Sequence, residues 1–302
     1  MKAVYNMELN IDNKNNIWGV FFKFIYNVLK LQSRFNFLLK AGIIFLIFWI
    51  IVAIFANFIA PYDPISQNLE QRFEKPNRVH WFGTDGFGRD LLSRTIVGSR
   101  LSILAGLLTV FLASIIGILF GGISGFIGGI IDDIMMRLSE MFLAFPTIIL
   151  AMTITAALGP SLYNTLLALV IVTWPRYARL MRSLAISAKE NEYVEASRAL
   201  GASNIRILLQ EILPNSIGTM IIMSSLDMGR IILVFSGLSF LGLGSPPPTP
   251  EWGMMVAQGM QYFNYWWVYT FPGLSILSIA MSANIVGDGI RDYLDPKIRK
   301  KF

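Results

Sequence analysis

The sequence predicts an all-α integral membrane protein with six transmembrane helices and both termini on the cytoplasmic side. Three observations carry that prediction. Only 15% of the 302 residues are charged, against 54% hydrophobic, and the mean hydropathy is +0.57; a soluble domain averages about 25% charged residues. Long uncharged stretches recur, each close to the roughly 20 apolar residues a helix needs to cross a bilayer. Lys and Arg fall unevenly on the two sides that such a topology creates.

Residues 1–40 carry six Lys/Arg and read as a cytoplasmic tail, in which residues 17–31 mix aromatics, aliphatics and lysines in the manner of an amphipathic surface helix. That tail is far longer than a secretory n-region, so no cleaved signal peptide is expected. Residues 41–60 contain no charge and form the first span. Residues 61–100 are a polar extracytoplasmic insert with Pro61, Pro64 and Pro76, followed by the turn-rich run Gly83-Thr84-Asp85-Gly86-Phe87-Gly88-Arg89-Asp90. Its Asp and Arg residues suggest local salt bridges rather than catalysis.

Residues 101–290 form the core, with five further spans. The second begins near Leu101 and meets no charge until Asp132. Small residues recur in it every fourth position, through Ala105, Thr109, Ala113, Gly117, Gly121, Gly125 and Gly129. Such a row makes a thin ridge for close helix–helix contact, with Gly117, Gly121 and Gly125 as packing positions. No strand precedes the glycines, so they do not read as a nucleotide-binding loop. Residues 141–175 are uncharged and turn at Leu158-Gly159-Pro160-Ser161, a tight hairpin of two spans, about 137–157 and 162–181. Arg137 and Glu140 are expected to pair in the first turn of the third span, and Pro146 and Pro175 to kink the two helices. Span five covers about 217–241 and contains Ser224, Asp227 and Arg230. A Gly/Pro-rich and aromatic stretch over 242–267 reads as an interfacial belt. Span six covers about 268–288, and residues 291–302 form a basic tail.

Of the 25 Lys and Arg, eighteen fall on the side that holds both termini, which makes that side cytoplasmic. The insert dissents with six, but it also carries five acids. The net charge of +6 therefore reads as topology bias, and no nucleic acid is expected as a partner. There is no cysteine and one histidine, His80, so no disulfide and no metal site is expected. No G-x-x-x-x-G-K-[ST] run occurs, so the chain should hold no ATP itself.

On the cytoplasmic side lies the longest polar interval after residue 100, residues 191–214 within a loop of about 187–214. It reads as two short helices hinged at Gly201, which sits where a helix stop wants positive φ; Ser203 caps the second, expected to end before Pro214. Glu195-Ala196-Ser197, three residues, Gly201, nine residues, then Glu211-Ile212-Leu213-Pro214 resembles the EAA loop of ABC importer permeases. Ser197 stands where that pattern has its second alanine, and Glu211 where it has isoleucine. The resemblance extends to the run from His80 to Arg94, to Gly237-Leu238-Ser239-Phe240-Leu241-Gly242-Leu243-Gly244, to Pro247-Pro248-Thr249-Pro250-Glu251-Trp252-Gly253, and to Gly287-Asp288-Gly289-Ile290-Arg291-Asp292. In this order they are similar to the C-type permease of dipeptide, oligopeptide and nickel ABC importers.

That resemblance implies a type I importer permease fold in a bacterial cytoplasmic membrane and no enzymatic site in this chain. It implies a homologous B-type permease, two cytoplasmic ATPases that bind ATP and Mg, and an external solute-binding protein. It places Glu195, Ala196, Ser197, Arg198, Gly201, Leu213 and Pro214 at the contact with an ATPase. Asp227, Arg230 and Ser224 are candidates for the translocation pathway. Asp227 and Arg230, three apart, share one face, and an unpaired charge at mid-bilayer costs roughly 2.5–3.5 kcal/mol, so that face must turn into the bundle. The pair serves equally well as a structural ion pair. Two alternatives stand beside a peptide permease: a nickel or metal-chelate permease of the same family, and a secondary transporter driven by an ion gradient. The latter needs coupling carboxylates in its spans, and Asp227 is the one deep acid, with Arg230 beside it. A membrane enzyme lacks support, since no HExxH, Ser/His set or deep carboxylate pair occurs.

Overall fold

The computed structural model describes residues 37–294; the expected amphipathic stretch of the N-terminal tail and most of the basic C-terminal tail lie outside them. The chain divides at residue 41 into two units, and all contacts below are within the second, Gly42–Phe302.

The described residues are helical, with one isolated bridge between Thr84 and Asp90. The order is α1 (Phe37–Ile54), α2 (Ala56–Ile59), a 3-10 turn (Leu69–Gln71), α3 (Leu91–Ile127), α4 (Gly129–Leu143), α5 (Thr147–Leu158), α6 (Leu162–Lys189), α7 (Glu192–Ala199), α8 (Asn204–Ile207), a π segment (Leu208–Ile212), α9 (Leu213–Phe240), α10 (Trp252–Met260) and α11 (Trp266–Leu294). Four stretches are long and apolar enough to cross a membrane: α1, α3, the continuous run Asn204–Phe240, and α11 over Trp266–Tyr293. The pair α4 and α5 qualifies together, bent by 90°. Isoleucine, leucine and phenylalanine lie exposed along the outer faces of α1 and α3, as at Ile44, Phe48, Leu104, Leu108 and Phe111, while small and hydroxyl residues turn inward. That distribution suits a lipid solvent, in which close packing rather than hydrophobicity joins helices.

α3 starts ten residues before the uncharged stretch. Asp90 caps it, accepting from Ser93 N at 2.7 Å and from Ser93 Oγ at 2.6 Å, while its other oxygen meets His80 Nδ1 at 2.9 Å. Beside it Asp85 Oδ2 accepts from Arg89 Nε at 2.7 Å. The insert is therefore organised around two buried carboxylates, and one of them, Asp90, also fixes the helix start. From α3, Arg100 reaches the C-terminal carbonyls of α1, Ala53 O at 2.6 Å and Ile54 O at 2.9 Å, and closes that helix.

α3 then packs along α6. A side chain at Gly117 would collide with Tyr177 and one at Gly121 with the Ala178 backbone; at Gly125 a Cβ would lie 2.6 Å from Arg182 O. All three glycines face one neighbour. At the end of this contact Asp132 of α4 accepts from Arg182 Nε at 2.6 Å and Nη2 at 2.5 Å, and from Ser124 Oγ, so one carboxylate ties α3, α4 and α6.

Three local expectations are corrected. The third span is not one kinked helix: Pro146 lacks an N–H and forces Phe145 out of helical geometry, so the chain breaks between α4 and α5. Arg137 and Glu140 form no ion pair; the partnered charge of α4 is Asp132, which sits opposite Arg182. The helix after Ser203 does not end before Pro214. Leu213 N donates to Leu208 O, five residues back, and this wider turn accommodates the proline within the first turn of α9.

In the loop after α9, Glu251 caps α10, accepting from Gly253 N and Met254 N at 2.9 Å each, and Trp252 donates from Nε1 to Thr95 O at 2.8 Å. Burial pushes the Glu251 carboxyl above its ordinary range, against the two amide bonds that pull it down. Its neutral form thus favours the fold: stability is full below the unfolded carboxyl range near ~4.3 and declines as pH rises through the raised native value. Thermal unfolding of detergent-purified protein between acid and neutral pH should show that decline, and Glu251→Gln should flatten it; an unchanged slope refutes the assignment. Gly121→Leu drives a side chain into backbone, an overpacking that costs typically ~1–3 kcal/mol or more. It should cut the yield of folded protein well below that of Gly218→Leu, whose added carbon meets open space; equal yields would show the ridge to be incidental.

Candidate functional site

Two places gather the residues of interest: the polar loop around Gly201 and a charged cluster midway along α6 and α9.

The loop is built on α7 and α8. Val194, Ile207 and Ile212 are wholly buried and join a cluster with Phe126, Met181 and Ala185, which anchors both short helices to the bundle. Gly201 follows α7 at φ +82 with no atom within reach of an added Cβ. Its constraint is therefore conformational, since left-handed geometry penalises any residue with a Cβ. Ser203 caps α8 by accepting from Arg206 N. The anchored face leaves the other free: Glu195, Ala196 and Arg198 are exposed, and Leu200 and Ile205 expose 88% and 72% of their surface. Leu213 is half-buried against the same cluster as Val194, and Pro214 is exposed.

The two residues that depart from the EAA pattern touch each other. Ser197 Oγ donates to Glu211 Oε1 at 3.1 Å and so joins α7 to the π segment across the Gly201 turn. Sequence reading treated the two departures separately; their shared displacement from apolar to polar was the available signal. A bond of this kind contributes about 0.5–1.5 kcal/mol. Ser197→Ala and Glu211→Ile should each speed backbone hydrogen exchange at residues 196–203 by roughly two- to tenfold, and the double variant should be no faster than the worse single. Additive acceleration would mean that the bond does not hold the loop.

The second cluster centres on Asp227, whose side chain is 5% exposed. Its Oδ1 accepts from Arg176 Nη1 of α6 at 2.7 Å and lies 3.4 Å from Arg230 Nη1, one turn along α9. Arg230 Nη2 donates to Thr147 Oγ1 at 3.2 Å, at the start of α5. Asp227 and Arg230 do share a face, but the shorter bond goes to Arg176, the first charge after the uncharged stretch 141–175. Ser224, half-buried, lies one turn before Asp227. Among the described residues no group of three or more His, Cys, Asp or Glu is placed to hold a metal ion.

The geometry can be set beside known proteins. Residues 117–300 match the model of the binding-protein-dependent transport system inner membrane component, and residues 35–76 match that of the N-terminal TM domain of oligopeptide transport permease C. The chain is 45% identical to the probable D,D-dipeptide transport system permease protein DdpC of Escherichia coli over 84% of its length and 86% of that protein's. It is 42% identical to the dipeptide transport system permease protein DppC of Alkalihalophilus pseudofirmus, over 89% and 88%. To the oligopeptide transport system permease protein OppC of Bacillus subtilis it is 39% identical, over 89% of each. Among solved structures, the inward-facing methionine ABC transporter MetNI contains a chain that superposes with a TM-score of 0.53 at 19% identity, covering 68% of this chain and 98% of that one, which shows a shared fold. With the family model spanning most of the bundle, and relatives of this identity aligned nearly end to end, the chain belongs to the family of inner membrane components of binding-protein-dependent transport systems.

Proposed function

We propose that this chain is the C-type permease subunit of an ATP-driven peptide importer in a bacterial cytoplasmic membrane. It would line half of the pathway beside a homologous B-type permease, receive cargo from an external solute-binding protein, and bear on two cytoplasmic ATPases that bind ATP and Mg. The supporting observation is the loop around Gly201. Three buried residues hold it to the bundle, its apolar side chains face outward, and it runs without a break into α9. A surface so anchored can transmit a push.

In this reading the chain crosses the membrane six times. The bent α4–α5 pair counts as one span, and α6 joins the set through its apolar first half, with Arg176, Arg179 and Arg182 in its second. Both termini and the loop over 187–214 then face the cytoplasm, and residues 61–100 and 242–267 face outward. Glu195, Ala196, Ser197, Arg198 and Gly201 form the ATPase contact, Leu213 and Pro214 carry it into α9, and Asp227, Arg230 and Ser224 border the pathway. Peptide cargo is favoured over nickel because the relatives are named as dipeptide and oligopeptide permeases.

The test is uptake by the assembled complex in proteoliposomes. Dialanine should accumulate with internal ATP in the absence of any ion gradient. Accumulation driven by a gradient without ATP would establish a secondary transporter instead. Gly201→Val places a β-branched residue in left-handed backbone, at about 1–2 kcal/mol. It should insert and assemble as wild type yet lose ATP-driven uptake; near-normal uptake would remove Gly201 from the coupling role.

A further inference from the structure

The charged cluster midway along α6 and α9 is not neutral. Arg176 and Arg230 both approach the one oxygen Asp227 Oδ1, so two guanidiniums meet a single carboxylate and one positive charge is left over. A surplus charge within a membrane-spanning bundle is expensive against hydrocarbon and is tolerated facing water or a counter-charge. The exposures point the same way. The carboxylate is 5% exposed, whereas the Arg176 and Arg230 side chains are 37% and 36% exposed. The acid thus grips both cations from behind and leaves their outer edges free. Arg176 commits only Nη1 and keeps the rest of its planar fork open. One turn earlier on α6, Thr173 Oγ1 is buried without a hydrogen-bond partner, and the Tyr177 hydroxyl lies beside Asp227 and Ser224.

We infer that Arg176 and Arg230 form a carboxylate-binding subsite for the C-terminus of a peptide in transit, with Asp227 as the residue that positions them. A guanidinium fork matches a planar carboxylate in shape. The surplus of one positive charge is cancelled by a monoanion and overshot by a dianion such as phosphate. The same surplus repels the peptide's amino end, so cargo would pass with its carboxylate toward this wall. Partial exposure keeps the attraction weak, as passage requires. This inference rests on the peptide-permease reading, and it adds to it Arg176, a ligand class and a polarity of entry.

The experiment uses the absence of cysteine in this chain. Thr147→Cys places a thiol beside Arg230 while keeping both arginines. In the assembled importer, this thiol is labelled with anionic sulfonatoethyl and with cationic trimethylammonioethyl methanethiosulfonate, each rate being normalised to a free thiol and read on this chain by mass spectrometry. The anionic reagent should be favoured about tenfold, a difference of ~1.4 kcal/mol, and Arg176→Gln in the same background should abolish the preference. N-acetyl-dialanine should slow the anionic reaction, whereas dialanine amide should not. A thiol that reacts with neither reagent, a preference that survives Arg176→Gln, or equal protection by acetylated and amidated peptide each overturns the subsite. Uptake separates the two readings. If wild type accumulates dialanine with ATP and Arg176→Gln does so at the same rate, the subsite falls and the permease reading stands. If wild type accumulates none, the peptide-permease reading itself falls.

Discussion

The packing of α3 against α6 constrains everything else in the bundle. In an apolar solvent two helices gain little from hiding leucine, and they stay together only where their backbones come close enough for dense contact. Gly117, Gly121 and Gly125 make that approach possible on one side, and the Tyr177–Arg182 segment meets it on the other. Depth and rotation of α6 are thereby set. Arg182 is delivered to Asp132 at one end of the contact, and Arg176, just under two turns earlier, to Asp227. Neither ion pair could be kept unchanged if α6 slid by a turn, because each arginine would then lie about 5 Å along the axis from its acid.

The opposite end of the bundle is held by different means. Arg94, almost wholly buried, donates from Nη1 to Pro64 O at 2.8 Å and to Pro248 O at 3.3 Å, and so bridges the insert and the loop before α10. The two carbonyls and Asp85, 3.6 Å from Arg94 Nε, keep this guanidinium in place. Together with the Trp252–Thr95 bond it makes the insert part of the folded body rather than a loose external loop.

Much of this was legible in the residues. Charge-free runs located the apolar helices, fourfold spacing located the glycine ridge, and the glycine and serine at 201 and 203 located the turn and cap of the polar loop. What escaped was long-range or stereochemical. Arg176 and Asp227 are 51 residues apart, and no local spacing links them. The clue was an excess: α6 carries Arg176, Arg179 and Arg182 at three-residue intervals with no acid between them, and two of the three find acids on other helices. The wider turn before Pro214 escaped for another reason. Proline usually announces a boundary, but one residue of extra winding absorbs it, and composition does not distinguish the two outcomes.

That extra winding has a mechanical consequence. Because Asn204–Phe240 is a single run of 37 residues, the second half of the polar loop and the arginine at position 230 ride on one rod. From Leu209 to Arg230 the rod is about 30 Å long at 1.5 Å per residue. Pivoted near its π segment, it would magnify a tilt of about ten degrees into a sideways sweep of ~5 Å at the far end, roughly one helical turn's height. The loop need move little for the charged midpoint to change sides, and the lever arm is set by where the proline was absorbed.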